Sequence, residues 1–380
     1  MSYNIRSRKY APYYTREFME KLFCGKDSNE VVDLFLRPVP NEGICSMPVG
    51  EWQPESNLVL PESEIGKPVC PIIDGHNHID NMNPELMLQI MDEQNITHIV
   101  NLSTMPDEYD QLQEHNRLSS VMGNRILSHC HYKWDRLSQE RFIEWACRQL
   151  KRNKSYGYSG IKIYKQFGLA YRDGSGNLIK INDERFKPFW ETAAELNMPI
   201  IMHTGDPFAF FKLLDCHNER IHELGAHPEW YYYKPGETPD HNKLQDELET
   251  MLFENRDTKF ILAHVCGSSE DLENSGKMLD SHPNIMTDIS ARVSELGRQP
   301  NMSRKFFNKY SDRIVFGTDL PPNKYMYQAY RRFLETDDDH FNYPTHASGQ
   351  GLWKISGIHL SEEVLKKIYR FNFLKYYDLD

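Results

Sequence analysis

The chain has 380 residues, a net charge of -11 with histidine neutral, 39% hydrophobic and 26% charged residues. These are globular proportions, with enough apolar content for a large buried core, and they exclude a mainly disordered chain. The acidic balance argues against a general binder of nucleic acid or of anionic membranes, which would carry a basic stripe.

The seven cysteines are scattered, odd in number and never in a CxxC pair. That pattern suits reduced thiols in a cytosol better than a disulfide frame or a structural zinc knuckle. The start, "MSYNIRSRKYAPYY", has no apolar signal core, and no segment reaches the roughly 18 apolar residues of a membrane span. A cytoplasmic enzyme acting on a small molecule, with no nucleic-acid or membrane partner, is the expectation, and a homodimer is allowed.

In chain order, residues 1–68 are rich in Pro and polar groups ("RPVPNEG", "EWQPESNLVLPESEIGKP") and read as an irregular extension packed on the domain that follows. It carries one helix around "TREFMEKLF". From residue 69 to 380 one pattern recurs: a short apolar or β-branched run, then a stretch at helical spacing. The strand candidates are "CPIID" (70–74), "THIVNL" (97–102), "RILSHCH" (125–131), "SGIKIY" (159–164), "MPIIMH" (198–203), "KFILAH" (259–264), "NIMTDIS" (284–290) and "RIVFGTD" (313–319). Stretches between them, such as "PELMLQIMDEQN" and "DERFKPFWETAAELN", repeat apolar residues at three and four spacing, as a helix packing one face on a sheet requires.

Eight such units predict an α/β fold of the (β/α)8 TIM-barrel type. A doubly wound open sheet is the alternative, but no GxGxxG follows any strand. Residues 204–258 far exceed the usual βα loop and read as a lid insertion after strand 5, at the carboxyl side where barrel active sites lie.

The polar residues gather at strand ends. His76 and His78 in "GHNH" share one face because strand side chains alternate. His203 ends "PIIMH", His264 ends "FILAH" and Asp319 ends "VFGTD". In a barrel these ends converge on one mouth. A lone histidine is usually a surface or core residue, and His129 and His131 in "SHCHY" line the mouth without any required role. Five ligating groups at one mouth are harder to explain structurally. Imidazoles plus one carboxylate, with a position left open, form the ligand set of a catalytic zinc-type ion.

These segments, with "GIKIY", "NIMTDIS" and the closing "LSEEVLKKIYRFN", span residues 70–375, and together they resemble the amidohydrolase superfamily. The resemblance is to its amidohydrolase-related branch, which includes aminocarboxymuconate semialdehyde decarboxylase. It implies that His76, His78, His203 and Asp319 hold the metal. His264 would sit beside the metal-bound water, polarising the substrate oxygen or shuttling a proton. Asp319 would also accept the proton of that water and return it to the leaving group. The implied cofactor is one divalent metal, Zn2+ first, with Mn2+ or Fe2+ as alternatives.

Binuclear members bridge two metals with a carboxylated lysine on strand 4. In "GIKIYK" the alternation sends Lys162 and Tyr164 inward, but the rest of the pattern resembles the mononuclear branch, so an ammonium paired with a carboxylate is the expected state of Lys162. Arg292 could grip a substrate carboxylate through a bidentate fork. Trp230 could stack on a planar substrate, and Asp206 either contacts substrate or caps the next helix. The leading reading is a metal-dependent hydrolase of an amide, cyclic amide or lactone, acting through a metal-activated water. The alternative is non-oxidative decarboxylation of an unsaturated or aromatic acid.

Overall fold

The computed structural model describes residues 55–345 and 349–379. The expected helix around "TREFMEKLF", and most of the 1–68 extension, lie outside the described residues. Each of the eight expected strands forms. They are β1 (Ile72–Asn77), β2 (Ile96–Leu102), β3 (Ile126–Cys130), β4 (Gly160–Ile163), β5 (Ile200–Met202), β6 (Phe260–Leu262), β7 (Ile285–Asp288) and β8 (Ile314–Val315). All neighbouring pairs are parallel and the spatial order is the chain order. Across the seam, Gly75 N donates to Phe316 O at 2.9 Å and Asp319 N to His76 O at 2.8 Å. The architecture is the (β/α)8 barrel.

Alternation along the strands builds two apolar layers. Ile73, Val100, Leu127, Ile201, Ile261, Met286 and Val315 fill the barrel interior. Their neighbours Ile72, Ile99, Ile161, Ile200, Phe260, Ile285 and Ile314 face the helices. Strands covered on both sides in this way have to be apolar throughout. One helix follows each strand: α1 (Pro84–Glu93), α2 (Glu108–Met122), α3 (Phe142–Ser155), α4 (Lys187–Glu195), α5 (His241–Glu254), α6 (Leu272–Ser281), α7 (Pro300–Lys309) and α8 (Lys324–Glu335). Their starts are written in the sequence. Asn83, Asp107, Asp240, Asp271 and Asn323 each accept a backbone N–H of the first turn.

Between β5 and α5 the chain inserts a lid of short elements, a turn at Phe208–Phe211, a lid helix at Ile221–Ala226 and a turn at Pro228–Trp230. The expected insertion of 204–258 therefore includes an ordinary crossover helix, α5, and the lid proper ends at Asp240. Phe210, Phe211 and Leu224 bury the lid on the barrel. Residues 55–68 form no helix or strand. They are held to α8, where Arg331 Nη1 donates to Gly66 O at 2.8 Å and Ser63 N to Asp338 Oδ2 at 3.0 Å. At the opposite end of the barrel a closing helix, Asn372–Tyr377, packs Phe373 and Tyr377 against the interior layer.

Candidate metal centre

The barrel mouth is assembled by strand ends that leave regular geometry. β1 brings His76 inside, fully buried, and His78 follows just past the strand. β8 must pass close to it. A Cβ on Gly317 would lie 2.8 Å from the Cβ of His76, so only glycine fits there. Two residues on, Asp319 adopts a left-handed backbone, with φ 55. His264, Val265 and Cys266, just after β6, do the same at φ 62, 57 and 57. Non-glycine residues in this region cost energy and cluster at functional sites.

Three of the four imidazoles, His76, His78 and His264, place one nitrogen on a group that can only accept a hydrogen bond, which favours the proton on that nitrogen. His76 Nδ1 lies 2.7 Å from Asp288 Oδ2. His78 Nδ1 lies 2.6 Å from Leu102 O, and His264 Nδ1 lies 2.8 Å from Ser290 O. His203 Nε2 lies 3.4 Å from Asp206 Oδ1. The opposite nitrogens of His76, His78 and His264 then carry lone pairs at the mouth, close to Asp319 and His203. His264 Nε2 is 3.3 Å from His203 Nδ1. Asp319 Oδ1 is 3.1 Å from His78 Nε2 and 3.7 Å from His76 Nε2, and its Oδ2 is 3.9 Å from His264 Nε2.

Imidazole nitrogens and a carboxylate gathered within a few ångströms attract a cation, as the Lys162 ammonium beside His76 Nε2 illustrates. The donor set thus fits a divalent metal, and the carboxylate behind His76 is the usual partner of a metal-bound histidine. The set whose ligand atoms all lie within 4.8 Å of one another, among the described residues, is His76, His264 and Asp319. Of the expected ligands, His76 and Asp319 belong to this group together with His264, and His78 and His203 lie next to it, His78 Nε2 3.1 Å from Asp319 and His203 Nδ1 3.3 Å from His264. With Nδ1 2.8 Å from Ser290 O, the Nε2 of His264 faces the mouth, where it can ligate or exchange a proton. Burial holds His264 well below its ordinary value, reinforced by the nearby charge of His203.

Burial would raise the Asp319 carboxyl, but His76, His78 and His264 hold it well below the usual carboxylate range. Lys162 points inward as expected and is buried, with Nζ 3.3 Å from His76 Nε2; burial lowers it to about 8. Tyr164 has its hydroxyl engaged by the backbone. It donates to Ser103 O at 2.6 Å, and its ring stacks 5.9 Å from His78, so it positions that histidine. Asp206 does not cap a helix. Its Oδ2 lies 2.7 Å from Lys165 Nζ and its Oδ1 3.6 Å from an Arg292 nitrogen.

A cleft of about 320 Å³ opens beside Asp319 and His264, with Lys165, Arg292, Glu223 and Trp230 in its walls. Lys165 Nζ sits 4.9 Å over the Trp230 ring. Lys165 was not among the residues singled out from sequence as contacting substrate, although it lies three residues past Lys162. Asp288 also escaped notice. It is fully buried, orients His76, accepts from His264 N at 2.9 Å and from Ser290 Oγ at 2.5 Å. Burial would raise its carboxyl, yet His76, His264 and Ser290 hold it well below the usual range. Its signal was the one that marked Asp319, a carboxylate closing an apolar strand ("NIMTD").

With this geometry described, the comparisons with known proteins can be read. The family model described as amidohydrolase matches residues 132–379. The chain belongs to the amidohydrolase family, whose members are enzymes. Solved structures with the same fold include a dihydroxybenzoic acid decarboxylase from Polaromonas sp. JS666 with bound manganese and 2-nitroresorcinol, at 15% identity and a TM-score of 0.54 over 81% of this chain and 97% of the other. A 2,6-dihydroxybenzoate decarboxylase from Rhizobium aligns at 14% identity and a TM-score of 0.51 over 81% of this chain and 99% of the other. No protein in a set with curated functions matches the chain. No helix among the described residues is long and apolar enough to cross a membrane.

Proposed function

We propose that the chain is a metal-dependent hydrolase of a small carboxylic acid that carries an amide, cyclic amide or lactone. The observation that carries this reading is the convergence of five lone-pair donors beside a wall bearing Lys165 and Arg292. His76, His78 and Asp319 would hold one divalent ion from one side, with His264 Nε2 and His203 Nδ1 facing them. A nitrogen-rich set of this kind favours Zn2+, with Mn2+ and Fe2+ as alternatives. The ammonium of Lys162, beside His76, disfavours a second cation. A bound divalent ion supplies Lewis acidity and can lower the pKa of water from 15.7 to about 7.

This chain's own residues would do the rest. Arg292 and Lys165 seat the substrate carboxylate, and Asp206 keeps both side chains in place. Asp319 accepts one proton from the attacking water as its oxygen bonds to the carbonyl carbon. It returns that proton to the departing nitrogen or oxygen as the scissile bond breaks. Five free thiols among the described residues, Cys70, Cys130, Cys147, Cys216 and Cys266, support a reducing compartment such as the cytosol.

Decarboxylation is the second reading. It draws on the two decarboxylases that share the fold, and on the near-parallel rings of Phe210 and Trp230, 6.2 Å apart at 17°, which suit a planar acid. The cationic wall weighs against it, because a carboxylate gripped by Lys165 and Arg292 is stabilised in the ground state and resists loss as carbon dioxide. Mass spectrometry of products from a panel of N-acyl amino acids, lactone acids and hydroxybenzoates separates the two. The hydrolase reading expects products that gain the mass of water. Products that lose the mass of carbon dioxide would replace it with the second.

A further inference from the structure

The cleft also carries a charge that the reaction above does not use. Glu223, on the lid helix, is 3% exposed and lines the cleft. Its Oε2 accepts from Arg220 Nη1 at 2.7 Å. Arg220 is itself 1% exposed and also pairs with Glu295, so one guanidinium serves two carboxylates. Glu295 has both oxygens engaged, the second by Ser294 Oγ at 2.6 Å. Glu223 does not: its Oε1 has no donor among the described residues. That oxygen is free to accept from a group that enters the cleft, in exchange for water.

The cationic groups have the reverse imbalance, with Lys165 and Arg292 sharing the single carboxylate of Asp206. The cleft is therefore lined both by cationic donors that share one carboxylate and by a carboxylate oxygen with no protein donor among the described residues.

We propose that Glu223 determines specificity, by accepting a hydrogen bond from a hydroxyl or amino group of the substrate remote from its carboxylate. The proposal rests on the acid-binding reading above and narrows the substrate class to hydroxy- or amino-substituted acids. A site that hydrogen-bonds a substrate donor discriminates strongly against analogues that lack it, because its own polar group is then left unpaired. A bond to a charged acceptor should be worth roughly tenfold to a hundredfold in affinity.

Titration calorimetry on the metal-loaded full chain tests this with benzoate, the 3- and 4-hydroxybenzoates, the 3- and 4-aminobenzoates and the matching methoxybenzoates, whose oxygens only accept. The wild-type protein should bind at least one hydroxy or amino acid tenfold or more tighter than its methoxy counterpart. In Glu223→Ala that ratio should fall toward one. Glu223→Gln guards against misfolding of the first variant, since its amide oxygen can still accept from Arg220; it presents N–H donors to the cleft and should shift preference toward the methoxy acids. Thermal melting of both variants checks that they fold. If benzoate binds but the ratio is absent in the wild type, or unchanged in a folded variant, the role of Glu223 is refuted and the acid site stands. If none of the acids binds, the acid-binding reading fails and this proposal falls with it.

Discussion

The two ends of the barrel are made from the same eight strands, yet they treat backbone strain in opposite ways. At the floor, left-handed positions fall to Asn95, Asn197 and Asp378, at φ 57, 48 and 52. Asn and Asp tolerate this conformation, so the turns that lead into β2 and β5 cost little. At the mouth the same region holds His264, Val265, Cys266, Ala291 and Asp319. Of these only Asp319 is a residue that tolerates the conformation readily, and Val265 is β-branched. The polar groups differ in the same sense. At the floor, Tyr377 Oη and His129 Nε2 meet at 3.1 Å, and Asn372 Nδ2 donates to Ser311 O and Ile314 O, both at 2.7 Å. At the mouth, four histidines and a carboxylate gather within a few ångströms. The side chains from the closing helix are paired within the protein, whereas the mouth presents a donor set that a cation and a substrate could complete.

This contrast breaks most sharply at Asp319. Asp319→Asn should cut turnover by about a thousandfold or more while melting like the wild type, since general acid–base groups of this kind contribute roughly 10² to 10⁴. An active Asn variant would deny Asp319 its proton. Next, Asp288→Asn loosens the support behind His76 and should weaken metal affinity by roughly 10- to 100-fold, read by competition with a chromophoric chelator. Unchanged affinity would make Asp288 a purely structural residue.

At the floor the effects belong to stability. Burial holds His129 neutral and lowers it to about 3, against about 6.5 in an unfolded chain. The unfolded chain therefore binds more protons between these values. The stability tied to His129 is complete above about 6.5 and drains as the pH falls toward 3. The wild-type melting temperature should decline over that window, and His129→Leu should flatten the decline, as calorimetry at several pH values would show. The smallest effect is expected from Tyr377→Phe, which removes one buried hydrogen bond. It should cost about 1–3 kcal/mol in denaturant titrations and leave kcat unchanged. A large loss of kcat would mean that the floor couples to the mouth.

The fold was almost wholly legible, because apolar runs such as "FILAH" and "RIVFGTD" can only be central strands and their neighbours only amphipathic helices. The site was legible as a set of strand-end residues. Which of them touch was not, since β5 and β6 end after three residues each and the following turns decide where His203 and His264 point. A left-handed backbone at His264 and Val265 has no signature in residues that normally avoid it. The partners of Asp206 and Tyr164 could not be read for a related reason: Lys165 and the Ser103 carbonyl come from other βα units. Lys165 itself could have been found, as a second cation beside the inward Lys162.

The central claim is that His76, His78, His203, His264 and Asp319 hold a cation. Metal analysis by inductively coupled plasma mass spectrometry, on the purified full chain and on His76→Ala with His78→Ala, tests it most directly. The account predicts close to one divalent transition metal per wild-type chain, and its loss from the double variant. A wild-type protein that carries no stoichiometric metal, takes none up on dialysis and melts at the same temperature with or without a chelator would contradict it.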